Sequence, residues 1–170
     1  MTFEEFAAVR LPALLRYAHM LTGDPHEAQD LVQDTLVRVQ LKWWRVRRAD
    51  RPELYVRRML TNVYLGWRRH ARWKRDVLTD DPATAGGGPA TPDPAARTVE
   101  RDEMWLLLAG LPRQQRAVLV LRYYEGLTDD DIAEVLGCAV GTVRGYASRA
   151  LATLRERLAP GLTIQSREQK

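Results

Sequence analysis

Arg144 and Arg149 share one face of a predicted helix with Thr142, Gly145 and Ser148. A guanidinium can donate two parallel hydrogen bonds to guanine or grip a phosphate, and small neighbours let a helix approach a DNA groove closely. Nothing of equal sharpness suggests catalysis. His19, His26 and His70 are scattered without metal-ligand spacing, and no Gly-rich phosphate loop occurs. Cys138 is the only cysteine, so neither an internal disulfide nor a Cys-cluster metal site is expected. Asp129, Asp130 and Asp131 open a helix, where carboxylates favour the N-terminal dipole over a cation. The expectation is a chain with no catalytic residue, no metal and no cofactor.

The charge distribution points the same way. Residues 42–75 hold twelve Lys or Arg against Asp50 and Glu53, a net +10, whereas residues 1–41 hold three Arg against six acids, a net −3. The chain as a whole carries +4. A basic block beside an acidic one implies two surfaces, one of them suited to phosphates, with a solvated helix face as the plainer reading. No run reaches the roughly 18 apolar residues of a membrane span. The first residues, Met1 to Glu5, do not read as a secretory signal, so a cytoplasmic location is expected.

Helical spacing organises the elements that must carry these residues. Residues 3–21 form an apolar series that Pro12 should kink or divide. Asp24-Pro25-His26-Glu27 has the form of a helix start, with Asp24 as N-cap and Glu27 as its capping-box partner. The helix it opens sets Ala28, Leu31, Val32, Thr35, Leu36 and Val39 on one face and Asp30, Gln33, Asp34 and Arg38 on another. A basic connection from Trp43 to Arg51 leads to a last helix from Pro52 through about Arg75. Residues 76–98, rich in Pro, Gly, Ala and Thr with several Asp, read as a flexible acidic linker.

Beyond it, Pro112 opens a helix that Gly126 ends. Residues 127–154 then have helix-turn-helix spacing: Thr128 and Asp131 as a cap pattern, Gly137 as the turn, and Val143, Ala147, Ala150 and Leu151 inward on the final helix. A purely structural helix pair is the alternative. The expected fold is all-α, with two small helical domains over 1–75 and 99–158 and a disordered tail over 159–170.

Residues 111–151, LPRQQRAVLVLRYYEGLTDDDIAEVLGCAVGTVRGYASRAL, resemble region four of the extracytoplasmic-function (group four) sigma factors of the sigma-70 family, in their SigE-like subfamily. EAQDLVQDTLVRV, a basic loop and YVRRMLTNVYLGWRRHAR resemble that family's region two. The resemblance spans about residues 3–158. It implies a non-enzymatic partner of core RNA polymerase that directs transcription initiation at promoters through their −10 and −35 elements.

The resemblance also implies roles. Asp30, Gln33 and Asp34 would dock on the beta-prime clamp coiled coil, and the second domain on the beta flap. The loop from about Trp44 to Arg51, including Arg45, Val46, Arg47 and Arg48, would capture an unstacked −10 base, supported by Tyr55 and Asn62. Arg68, Arg69 and Arg72 would add −10 contacts, and with Arg57, Arg58 and Arg75 they suit phosphates better than bases. Trp43, Trp44, Trp67 and Trp73 could stack on single-stranded DNA, with core packing expected for two or more of them. Thr142, Arg144, Gly145, Ser148 and Arg149 would meet the −35 element. The linker would lie in the polymerase's RNA exit path, and an anti-sigma factor is a further possible partner.

Departures from the family pattern bear on promoter sequence. Thr61 and Gly66 stand where Arg and Asp are often found near Asn62, Gly145 where Ser is common, and Ala139 where Ser or Pro is frequent. A missing Ser cap at Ala139 costs its helix on the order of 1 kcal/mol. A conventional dimeric helix-turn-helix factor is the rival reading, but it gives the acidic face and basic block no task.

Overall fold

The computed structural model describes the backbone of residues 1–78 and 99–165 and the side chains of residues 1–67 and 103–159. Every regular element among them is helical. The N-terminal half comprises α1 (Phe3–Thr22), α2 (Pro25–Leu41), the single turn α3 (Trp43–Val46) and α4 (Pro52–Leu78). The C-terminal half comprises α5 (Val99–Ala109), α6 (Arg113–Leu119) continuing into a π turn (Val120–Tyr124), α7 (Asp129–Leu136) and α8 (Val140–Gln165).

Local chemistry sets most boundaries. Thr2 caps α1 in a reciprocal box with Glu5, and Gly23 ends it in the left-handed region at φ 72°. Asp24 then caps α2 by accepting from the His26 and Glu27 N–H groups at 2.8 and 2.9 Å, with Pro25 in the first turn. Pro12 does not divide α1. It lies on the exposed side of the helix, as does Ala8, whose carbonyl loses its donor there and can turn to water. The connection expected from Trp43 to Arg51 contains the helical turn α3, and the helix opened by Pro112 passes into the π turn before Gly126. Helix α4 continues past Arg75 to Leu78 and α8 past Ala159 to Gln165. The expected linker residues 79–98 and the final residues 166–170 lie outside the described residues.

Helices α1, α2 and α4 enclose the N-terminal core of Phe6, Leu14, Tyr17, Leu21, Leu31, Val32, Val39, Val56 and Leu60. Thr61 is fully buried in it, and its hydroxyl lies 2.7 Å from that of Tyr17. Burial pushes the Tyr17 phenol well above its ordinary pKa. Thr61 thus ties α4 to α1 inside the bundle, which explains a small hydroxyl residue at this departure from the family pattern.

The two halves pack against each other, chiefly through α7 on α4. Arg51 forks onto the Asp131 carboxylate, its Nη2 reaching Oδ2 at 3.2 Å, and Arg57 donates to Glu125 at 2.6 Å. Arg113 donates to the Tyr64 carbonyl at 2.7 Å, with its guanidinium 4.9 Å above the Tyr64 ring. Arg116 donates to the carbonyls of Leu108, Ala109 and Leu111 in its own half and of Leu21 in the other, at 2.8 to 3.2 Å. The Trp105 ring covers Gly23 so closely that a Cβ there would lie 1.5 Å from it.

Candidate nucleic-acid interface

The helix pair α7–α8 is assembled by its caps. The Thr128 hydroxyl accepts from the Asp131 N–H at 3.2 Å, and Gly137, at φ 64°, ends α7 in the left-handed conformation that L side chains resist. The Ala139 carbonyl accepts from the N–H groups of Thr142 and Val143 at 3.0 and 3.2 Å, opening α8 without a side-chain cap. Ile132, Ala133, Val135, Val143, Ala147 and Ala150 are buried between the helices, while Leu136 and Leu151 are partly so. Cys138 sits half-buried in the turn, and burial pushes its thiol pKa up, away from a reactive thiolate.

This packing leaves Thr142, Arg144, Ser148 and Arg149 exposed on the outer face, with Gly145 half-buried among them. All five sequence-predicted −35 residues therefore share one surface. Each of the two cations has a neighbour in its own half of the protein. Arg144 Nε donates to Asp129 Oδ2 at 3.3 Å, and Asp129 Oδ1 also accepts from Arg122. The Arg122 hydrogen bond, with help from Arg144, holds the Asp129 carboxyl below the usual range. Arg149 lies 5.3 Å over the Tyr146 ring. Arg122, Asp129, Arg144, Ser148 and Arg155 line an open cleft of about 420 Å³.

In the N-terminal half Trp44, Arg45, Arg47, Arg48 and Asn62 are exposed and Tyr55 is half-buried. Arg45 stacks 4.9 Å above Trp44, which is 54% exposed and available to a base. Val46 departs from the expectation. It is fully buried, anchoring α3 to the core, and has no surface to offer DNA. Trp43 packs against the rings of Phe3 and Phe6 with centroids 6.0 and 5.2 Å apart, and Trp67 also packs on the core. Arg57, expected on phosphate, is engaged with Glu125 instead. Arg58 remains exposed. The side chains of Arg68, Arg69, Arg72, Trp73 and Arg75 lie outside the described residues.

Asp30, Gln33 and Asp34 form an exposed acidic strip along α2, opposite the buried Leu31, Val32, Thr35 and Val39. Val37 and Leu41 extend this side of the helix with 57% and 76% exposure. Those two apolar residues were missed by the sequence reading, although the i, i+4, i+7, i+11 spacing from Asp30 could have shown them. Arg122 and Tyr146 were missed too, since neither stands in a run of cations.

The model of "Sigma-70 region 2" matches residues 8–74 and that of "Sigma-70, region 4" matches residues 101–154. The RNA polymerase sigma-E factor of Streptomyces avermitilis is 38% identical over 156 residues, 92% of this chain and 84% of the relative. The ECF RNA polymerase sigma factor SigL of Mycobacterium tuberculosis is 37% identical over 161 residues, 91% of this chain and 87% of the relative. Among solved structures, the sigma factor RpoE in complex with the anti-sigma factor NepR from Bartonella quintana superposes with a TM-score of 0.71. It is 25% identical, with 92% of this chain and 96% of that one covered.

Proposed function

Because the chain belongs to the extracytoplasmic-function sigma factors of the sigma-70 family, and so directs promoter-specific transcription initiation with core RNA polymerase and is not an enzyme, we propose how its surfaces divide that task. Residues 1–75 act as the domain that docks on polymerase and reads the −10 element, and residues 99–158 as the domain that reads the −35 element. The observation that carries this division is the outer face of α8. It presents Arg144 and Arg149 among small residues on a rigidly packed helix of the dimensions a major groove accepts.

Trp44, Arg45, Arg47 and Arg48, with Tyr55 and Asn62 behind them, suit capture of an unstacked −10 base by stacking and charge. Arg68, Arg69 and Arg72 serve as phosphate contacts in this reading. Asp30, Gln33 and Asp34 meet basic residues of the beta-prime clamp coiled coil, and the C-terminal half meets the beta flap. The likeness to a sigma factor crystallised with NepR supports an anti-sigma partner for this chain. Among the described residues no helix is long and apolar enough to cross a membrane, and a partner of polymerase and DNA works in the cytoplasm.

Charge reversal tests the docking face. Asp30→Arg with Asp34→Arg should weaken core-polymerase capture at least about tenfold, since like charges across an interface cost several kcal/mol. Far-ultraviolet circular dichroism should stay unchanged, both positions being exposed. Undiminished capture would place polymerase on another face.

A further inference from the structure

We propose that Asp129 is the positioning residue for −35 recognition: by bridging Arg122 and Arg144 it presets the Arg144 guanidinium for a base edge. The inference rests on the reading in which the outer face of α8 meets the −35 element, and it adds a residue outside that face. Three consecutive acids open α7, yet they are differently placed. Asp131 is taken by Arg51 across the two halves, Asp130 is exposed, and Asp129 alone reaches the recognition helix.

The geometry of that reach is selective. Asp129 Oδ2 accepts from Arg144 Nε, the side of the guanidinium, at 3.3 Å. Both terminal Nη groups stay free, and these can form a bidentate pair with guanine O6 and N7. Without the carboxylate, a side chain 71% exposed has many rotamers to lose on binding. Arg122 holds the other carboxylate oxygen, Oδ1, so the bridge is fixed from the π turn as well.

The negative charge has a second effect. The cleft beside Arg144 also carries Arg122 and Arg155, a group that would otherwise attract any phosphate. Asp129 partly neutralises it and turns away the DNA backbone, so Arg144 is reserved for the contact that carries sequence information. An acid that merely favoured the α7 dipole would have neither effect, and Asp130 would serve as well.

The test uses the full chain with core polymerase, transcribing from promoters randomised at the −35 element, and compares Asp129→Asn, Asp129→Glu, Asp130→Asn and Arg144→Ala. Asp129→Asn should relax preference at the base pair that Arg144→Ala affects, by at least about fivefold, the lower end of one base contact. Asp129→Glu should regain part of that preference and Asp130→Asn should match the unaltered protein. The salt dependence of binding to non-promoter duplex should steepen by about one unit of slope in Asp129→Asn, as a freed cation finds a phosphate. Wild-type preference in Asp129→Asn alongside a loss in Arg144→Ala overturns the role of Asp129 alone. Unchanged preference in both variants overturns the −35 assignment of α8 and this inference with it.

Discussion

On α8 the two cations proposed to read bases are each propped, Arg144 by Asp129 and Arg149 by the Tyr146 ring. Around α3 the cations Arg45, Arg47 and Arg48 project from one turn of helix and the residues after it, with the Trp44 ring beneath Arg45. The difference matches the two kinds of target. A duplex shows its base edges at fixed spacing, so a reader gains from being preset. An unstacked base brings its own freedom and offers a flat face, so an exposed aromatic with Arg45 stacked on it and Arg47 and Arg48 exposed beside it is enough to begin capture.

The sharpest way to break that comparison is Trp44→Ala. It should cost about 1–3 kcal/mol in open-complex stability, the range for one base stacked on an aromatic, while the −35 preference stays as it was. A loss confined to −35 variants would reverse the roles of the two surfaces. Val46→Ala comes next, lowering the unfolding free energy by about 1–2.5 kcal/mol because a fully buried side chain is truncated. Denaturant titration should show this drop, and the −10 preference at a temperature where the protein stays folded should not move. A changed preference would mean that Val46 meets DNA after a rearrangement of α3.

Smaller effects refine the picture. Tyr146→Ala removes the ring under Arg149, and the exposed cation–π contact is worth about 0.5–1 kcal/mol. It should therefore blur −35 selection less than Asp129→Asn does, measured on the same promoter library. The smallest change concerns acid. The Arg51 hydrogen bond holds the Asp131 carboxyl below its usual pKa, so this tie stabilises the packed halves at neutral pH. The contribution is complete above the ordinary carboxylate range and is lost as pH falls through the lowered value. Hydrogen exchange in α7 should rise slightly below about pH 4 in the parent protein, and Asp131→Asn should remove that step. Solvent screening keeps the effect small.

What could be read from the sequence was local. Asp24, Thr128 and Gly137 announce their helix ends because cap and capped group lie within a few residues. The outer face of α8 followed from one helical period. Val46 misled because it stands between Arg45, Arg47 and Arg48, and a lone apolar residue among cations gives no sign of facing inward. The packing of the halves left no trace, since Arg51 and Asp131 are 80 positions apart and Arg57 and Glu125 are 68 apart. The Asp129–Arg144 bridge was within reach but hidden, because an acid at a helix start already has an adequate explanation in the dipole.

Arg116 shows what it means to fasten two halves of a protein through carbonyl oxygens. Its guanidinium meets the C-terminal ends of α1 and α5 at once, where the helix dipoles favour a cation. The acceptors at Leu21, Leu108, Ala109 and Leu111 belong to the peptide bond, and every residue type supplies one. A pair such as Arg57 and Glu125 depends on two side chains, and a lineage that loses one is pressed to change the other. The Arg116 fastening depends on one. Leu21, Leu108 and Leu111 are held by their burial in the core and not by this contact. Whatever side chain stands at an acceptor position the carbonyl remains, so no compensating exchange would betray the contact to a comparison of sequences.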